Sequence, residues 1–132
     1  MKRNNRKGKK QYVDARYDKK TGKHSNVKIT RDSDIVQEMC QQKIKFSCVA
    51  RVVESSHKQG HDNVLLQHII FTYEGIEYYV EHCWLQEYDY PSGFYQTVEE
   101  GWKYYMECSF YPYHDAIDRG MHGMKVYYFE RY

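Results

Sequence analysis

The stretch that decides the fold is KIKFSCVARVVE, residues 43–54, in which apolar and polar side chains alternate. The apolar set on one side is Ile44, Phe46, Cys48, Ala50 and Val52, and the polar set on the other is Lys43, Lys45, Ser47 and Arg51. A period of two over this length predicts a β-strand with one buried face, because successive side chains of a strand point to opposite faces.

Four more segments predict strands, and turn signals lie between them. The segments are VLLQHIIFTYEG (64–75), IEYYVEHCWL (76–85), WKYYMECSFYPY (102–113) and MKVYYFERY (124–132). The turn signals are SSHKQGHDN (55–63), Glu74-Gly75, Pro91-Ser92-Gly93 and the glycines Gly120 and Gly123. In the third strand the alternation places on one face Ile76, Tyr78, Val80, His82 and Trp84.

Two short helical segments complete the predicted elements. RDSDIVQEMCQQ (31–42) predicts a helix that begins with a capping box between Asp34 and Gln37, and YQTVEEG (95–101) predicts a helical turn before the fourth strand. Five strands with this interruption predict a mainly β fold: a small five-stranded antiparallel OB-like barrel with a short N-terminal helix.

The sequence resembles the small OB-fold proteins that phages of low-GC bacteria encode. The resemblance covers residues 43–132 and is carried by IKFSCVARV (44–52), by EHCWL (81–85) and by VEEGWKYYMECSFYPY (98–113). It implies an OB-like barrel in a phage protein.

The chain divides by charge into a basic tail and an acidic domain. Residues 1–31 contain twelve lysines and arginines against two aspartates, a formal charge of +10, whereas residues 32–132 carry −8. We expect a flexible tail over 1–31 and a folded domain over 32–132, because the tail has too few apolar residues to offset the entropy of ordering.

Basic side chains of this density neutralise phosphates, and tyrosines among them can stack on unpaired bases. The predicted nucleic-acid contacts are Lys2, Arg3, Arg6, Lys7, Lys9, Lys10, Tyr12, Arg16 and Tyr17. A tail that only improves solubility and has no ligand remains an alternative.

The acidic domain is rich in tyrosine, which is favoured at protein interfaces because it buries a large area while few torsions become ordered. The predicted protein-interface residues are Glu77, Tyr79, Glu81, Glu87, Asp89, Glu99 and Glu100. The alternative is a stacking platform for bases, for which the outward candidates are Tyr73, Tyr79, Tyr105 and Tyr128.

Catalytic and metal chemistry find little support in the residue spacing. The histidines and cysteines considered as metal ligands are His57, His61, His82, Cys83, Cys108 and His114, but no Cys-x-x-Cys pair is present. Cys48 and Cys108 fall on inferred core faces, where thiols behave as inert small hydrophobes. We therefore predict no enzymatic activity, no metal and no cofactor.

The spacing of the four cysteines matches no disulfide framework, and no apolar run is long enough to cross a bilayer. These features predict a protein with no membrane contact in the cytoplasm of a bacterial host.

The charge divide favours an interaction protein of the anti-CRISPR type. It would inhibit or modulate a host nucleic-acid-processing or defence complex, for example a CRISPR nuclease with its guide RNA. The acidic aromatic domain would dock on a basic protein surface, and the tail would contact RNA or DNA. The alternative is a single-stranded nucleic-acid-binding OB-fold protein of phage replication or recombination.

Overall fold

A computed structural model describes residues 16–18, 23–25, 27–113 and 121–132. The helices are α1 (Asp34–Gln41) and α2 (Phe94–Thr97), and a 3-10 turn spans Glu87–Asp89. The strands are β1 (Arg16–Asp18), β2 (Lys23–Ser25), β3 (Val27–Ile29), β4 (Lys45–Lys58), β5 (His61–Tyr73), β6 (Ile76–Leu85), β7 (Lys103–Pro112) and β8 (His122–Arg131).

Two tight turns join the three central strands. Gln59 and Gly60 link β4 to β5 with φ of 53° and 78°, and Glu74 and Gly75 link β5 to β6 with φ of 51° and 80°. Positive φ at both central residues is what a type I′ hairpin turn requires. The turn at Glu74-Gly75 is confirmed. The turn predicted over 55–63 comprises only Gln59 and Gly60, because β4 extends to Lys58 and β5 begins at His61.

The chain is mainly β, as predicted, but the main sheet has six strands in the order β3-β6-β5-β4-β7-β8. The additional strand is β3, which pairs in parallel with β6, so the prediction of five antiparallel strands is corrected. The sheet also does not close into a barrel. β8 curls to lie close to β6, but no ladder joins these two strands.

The strand β3 comes from the segment that the sequence assigned to the flexible tail. Val27 is fully buried and Ile29 is 1% exposed, and they pair in register with Tyr78 and Val80 of β6. A strand of three residues is too short for its alternation of apolar and polar side chains to be recognised in a polar sequence. At least this part of the predicted tail therefore contributes to the core.

The core lies on one face of the curved sheet, and the alternation of β4 and β7 is confirmed. Phe46, Cys48, Ala50 and Val52 of β4 are buried, as are alternate residues of β7 from Tyr104 to Phe110. An aromatic cluster fills one end of the core, where Phe46 stacks on Phe110 with ring centroids 4.7 Å apart.

The prediction of one continuous face along β6 is wrong. Tyr78 and Val80 are buried, but the next buried residue is Cys83, and His82 is exposed. The paired strand β5 changes face at the same level, where His68 has a φ of 51°. This shared irregularity lets both strands bend around the core, and it removes His82 from the face that the alternation assigned to it together with Tyr78 and Val80.

Helix α1 covers one end of the sheet through Ile35, Val36 and Met39, which are all buried. Ser33 is the N-cap residue, its side chain makes no capping hydrogen bond, and Asp34 is the first helical residue, so the predicted capping box between Asp34 and Gln37 is wrong. Within the ranges described above, no helix combines the length and apolar character needed to cross a bilayer.

Candidate interaction surface

A row of side chains runs across five strands on the face of the sheet opposite the core. Val49 of β4 pairs with Ile70 of β5 and Tyr105 of β7, Ile70 pairs with Tyr79 of β6, and Tyr105 pairs with Glu130 of β8. The four residues other than Glu130 are half-buried, and the residues on either side of each one in the sequence are buried on the core side. We call this set the outer row.

Carboxylates and hydroxyls border the outer row. One pleat further along, Thr72 pairs with Glu77 and Ser47 pairs with Glu107, which in turn pairs with Tyr128. An open groove of about 530 Å³ lies here, and its lining includes Ser47, Val49, Ile70, Thr72, Glu77 and Tyr105. The surface thus combines an apolar and aromatic centre with a border of carboxylates and hydroxyls, and Lys45 also lines the groove.

Hydrogen bonds fix the tyrosines of this border. The hydroxyl of Tyr105 donates to Oε2 of Glu107 at 3.3 Å, and it lies 2.9 Å from Oγ of Ser47. Because the single phenolic proton points to Glu107, Ser47 is the donor to Tyr105. The hydroxyl of Tyr128 donates to Glu130, and this bond raises the pKa of Tyr128. The phenol of Tyr128 therefore stays neutral at neutral pH.

A bulge exposes a second tyrosine at the edge of the sheet. Glu107 pairs with Tyr128 while Cys108 pairs with Val126, so Tyr127 is an extra residue in β8. As a result Tyr127 and Tyr128 are both exposed, at 44% and 45%. The sequence predicted an outward Tyr128, but strict alternation could not have predicted that Tyr127 is outward as well.

Cations contact the aromatic rings at this edge. The ammonium of Lys45 lies 4.7 Å from the ring centroid of Tyr127, and the guanidinium of Arg131 lies 3.4 Å from that of Trp102. Such contacts contribute about 0.5–1 kcal/mol at exposed sites. The edge formed by β7 and β8 is therefore bordered by cations as well as by the carboxylates of Glu107 and Glu130.

The predicted interface residues lie in several places rather than in one cluster. Glu77 and Tyr79 belong to the outer face, and Glu81 is an exposed residue of β6. Glu87 accepts a hydrogen bond from the backbone N–H of Asp62 at 2.9 Å, near the turn between β4 and β5.

The remaining predicted carboxylates lie around the loop before β7. Glu99 and Glu100 are exposed, and Oε2 of Glu100 accepts from the backbone N–H of Ser55 at 2.8 Å. Asp89 is only 1% exposed. Its position inside the protein makes it a structural residue rather than part of a docking surface.

Two donors hold the buried carboxylate of Asp89. The hydroxyl of Tyr111 donates to Oδ1 at 2.5 Å, and the backbone N–H of Gln86 donates to Oδ2 at 2.8 Å. Burial raises the pKa of Asp89, and these two hydrogen bonds offset part of that effect. The arrangement ties the 3-10 turn to β7.

Most of the predicted nucleic-acid contacts lie outside the described residues, namely Lys2, Arg3, Arg6, Lys7, Lys9, Lys10 and Tyr12. Arg16 and Tyr17 belong to β1, whose backbone pairs with β2. In the described end of the tail, Lys28 Nζ lies 3.5 Å from Oε1 of Glu81 on the folded domain. An ion pair this exposed contributes about 0–1 kcal/mol.

The histidine and cysteine candidates do not converge. His57 Nδ1 lies 2.5 Å from Asp62, His61 Nδ1 lies 3.5 Å from Glu87, and the buried Sγ atoms of Cys48 and Cys108 are 3.7 Å apart. His114 lies outside the described residues. Among the residues that are described, no three or more His, Cys, Asp or Glu side chains are placed to hold a metal ion.

Sequence reasoning missed Val49 and Ile70 as surface residues. The signal was present for Val49, since it falls between Ser47 and Arg51 on the polar side of β4. Ile70 gave no such signal, because it lies in a nearly continuous apolar run.

Comparisons with protein-family models, with curated proteins and with solved structures find no match to this chain.

Proposed function

We propose that this protein is a non-enzymatic interaction protein that docks the outer face of its sheet on a basic protein surface. The observation that carries the proposal is the outer row, in which Tyr79, Ile70, Val49 and Tyr105 form a half-exposed apolar band beside Glu77, Glu107 and Glu130. Apolar and aromatic centres with polar borders are typical of protein interfaces.

Charge favours a basic partner. Residues 27–132, which include the folded strand β3, carry −6, so their field would steer them toward a cationic surface and repel free nucleic acid. Enzymes that process nucleic acids present such surfaces. Residues 1–26 carry +8 and suit the RNA or DNA that the same complex holds, since Lys and Arg neutralise phosphates.

We further propose an OB-like architecture and an inhibitory role of the phage, anti-CRISPR type. The order β6-β5-β4-β7-β8, with β8 curling toward β6, supports a partly open barrel. The target would be a host defence or nucleic-acid-processing complex in the bacterial cytoplasm, such as a CRISPR nuclease with its guide RNA.

The second candidate is a protein that binds single-stranded nucleic acid. It is favoured by the exposed rings of Trp102, Tyr127 and Tyr128, two of which contact Arg131 or Lys45. Stacking on such rings contributes about 1–3 kcal/mol per base. The negative charge of the domain argues against this candidate as the main function.

The two candidates predict different binding in the same assay. The full-length protein is titrated with several purified CRISPR nucleases, each with and without guide RNA, and with free single-stranded DNA and RNA at several salt concentrations. We expect the tightest binding to a guide-loaded nuclease. Equal affinity for the free strands would contradict the docking proposal and favour the second candidate.

A charge-neutralised tail provides the matched variant, with Gln at positions 2, 3, 6, 7, 9 and 10 of the full-length chain. We expect this variant to retain binding to the protein part of the complex and to show a weaker salt dependence, because each phosphate contact contributes about −0.9 to the slope of log K against log salt on duplex DNA. Complete loss of binding would show that the tail alone makes the contact.

A further inference from the structure

A second cavity, separate from the outer groove, lies beside the bulge of β8. Its volume is about 220 Å³, and its lining consists of Tyr88, Asp89, Ser109, Tyr111, Lys125 and Tyr127. None of these residues lines the outer groove. Tyr88 at 68% and Tyr127 at 44% are among the most exposed aromatic residues of the described chain.

The ring of Tyr127 is held in place before any ligand arrives. The bulge directs it outward, its hydroxyl lies 2.9 Å from Oγ of Ser109, and Lys45 contacts the ring. A ring that is already ordered loses little side-chain entropy on binding. Tyr127 is therefore suited to stack against a planar group.

The lining holds one carboxylate, Asp89, and one cation, Lys125, and only the cation is exposed. Both carboxylate oxygens of Asp89 already accept hydrogen bonds, from Tyr111 and from the backbone of Gln86. The charge of Lys125 lowers the pKa of Asp89, but its ammonium forms no ion pair in the described part of the chain, so it can donate to a ligand.

We propose that this cavity binds one nucleotide, with the base against Tyr127 and Tyr88 and the phosphate at Lys125. Base stacking on an aromatic ring together with a lysine at the phosphate is how proteins hold unpaired nucleotides. A basic peptide is disfavoured by Lys125. A free mononucleotide and one nucleotide of a single strand would both present this base and this phosphate to the cavity.

The inference rests on other lining residues than the docking proposal, although Lys45 of the outer groove contacts Tyr127 of the cavity. Its failure would leave the docking proposal intact, and the converse also holds. It adds a nucleic-acid contact on the folded domain to the contact predicted for the tail.

The test measures binding of small probes to the full-length protein by isothermal titration calorimetry. The probes are thymidine monophosphate, thymidine, inorganic phosphate and a thymidine tetranucleotide. We expect the monophosphate to bind more tightly than either thymidine or phosphate. Tighter binding of the tetranucleotide would identify the ligand as a unit of a strand, and equal binding would identify a free nucleotide.

Tyr128→Ala is the matched control for Tyr127→Ala, since the two side chains are equally exposed neighbours and only Tyr127 lines the cavity. We expect Tyr127→Ala to weaken monophosphate binding by about fivefold or more, and Tyr128→Ala to leave it unchanged. Tyr127→Phe, which keeps the ring, should bind as the wild type does. Lys125→Gln should reduce monophosphate affinity to that of thymidine.

Three results would overturn the inference. They are equal losses in Tyr127→Ala and Tyr128→Ala, monophosphate binding no tighter than phosphate alone, and wild-type affinity in Lys125→Gln. Because the tail is identical in every variant, its phosphate contacts cancel when variants are compared with the same probe, so the losses in Tyr127→Ala and Lys125→Gln decide the test. Thermal unfolding of each variant identifies any that lose binding through misfolding.

Discussion

Gly123 of β8 lies directly against the ring of Tyr111 on the paired strand β7, and a methyl group at Gly123 would lie 2.6 Å from Cζ of that ring. Movement of the Tyr111 ring away from Gly123 would cost free energy, because its hydroxyl is hydrogen-bonded to Asp89. The neighbouring ring of Tyr113 is equally close at 2.7 Å and is tethered to Arg31.

Gly123→Ala should therefore lower the free energy of unfolding by about 1–3 kcal/mol, the usual range for overpacking. Chemical denaturation measures the change. In a Tyr111→Phe background the ring is no longer tethered to Asp89, so the same substitution should cost less. An equal cost in both backgrounds would show that the Asp89 contact does not hold the ring.

Replacement of Ile29 tests whether the end of the predicted tail belongs to the core. Ile29→Ala should cost about 2–5 kcal/mol of unfolding free energy, as expected for a buried isoleucine. Lys28→Ala is the control, because its exposed ion pair with Glu81 should contribute only about 0–1 kcal/mol. Similar small effects in both variants would contradict the packing of β3 on β6.

The buried carboxylate of Asp89 predicts a pH dependence of stability. Burial raises its pKa above the ordinary value of 3.8, so the folded state binds the proton more tightly than the unfolded state. The resulting stabilisation is present below pH 3.8 and is lost as the pH rises through the raised folded-state pKa.

Asp89→Asn removes this titration. The amide oxygen of the asparagine can still accept from the backbone N–H of Gln86, and its NH2 group can donate to the hydroxyl of Tyr111. The stability of the variant relative to the wild type should therefore increase from acidic to neutral pH. Urea unfolding of both proteins across this range gives the difference, in which the other titrating groups cancel. A difference that does not change with pH would exclude a raised pKa for Asp89.

The four cysteines should differ in reactivity with their burial. Cys48 and Cys108 are 2% and 0% exposed, and burial raises the pKa of Cys83 to about 11, whereas Cys40 is partly exposed. Because the thiolate is the reactive form, a thiol reagent should label Cys40 first in the native protein and all four cysteines after denaturation. Fast labelling of Cys108 in the native state would contradict its burial.

Local patterns predicted some of the fold correctly and missed the rest for identifiable reasons. The alternation in β4 and β7 and the turn at Glu74-Gly75 are properties of short segments, and the structure confirms them. The pairing of β3 with β6, the irregularity at His68 and the bulge at Tyr127 depend on contacts between segments distant in sequence. Such features do not appear in the periodicity of a single strand.

The same distinction applies to the candidate surface. Tyr79, Tyr105 and Tyr128 could be assigned to the outer side because their strands alternate. Asp89 looked like any other carboxylate of an acidic loop, and only its contacts with Tyr111 and Gln86 show that it is structural. The outer row itself required the register of four strand pairs, which no single segment contains.

The central claim is that the outer face docks on a basic protein surface, and Val49→Arg tests it most directly. The substitution puts a cation at the centre of the outer row, and Thr97→Arg adds the same charge at an exposed position of α2 that does not line the groove. The measurement is the dissociation constant of the wild type and both variants for the guide-loaded nuclease that binds most tightly. We expect Val49→Arg to weaken binding by at least about 2 kcal/mol, the size of a central interface contact, and Thr97→Arg to have little effect. Equal affinities of the wild type and Val49→Arg, with both proteins folded, would contradict the claim.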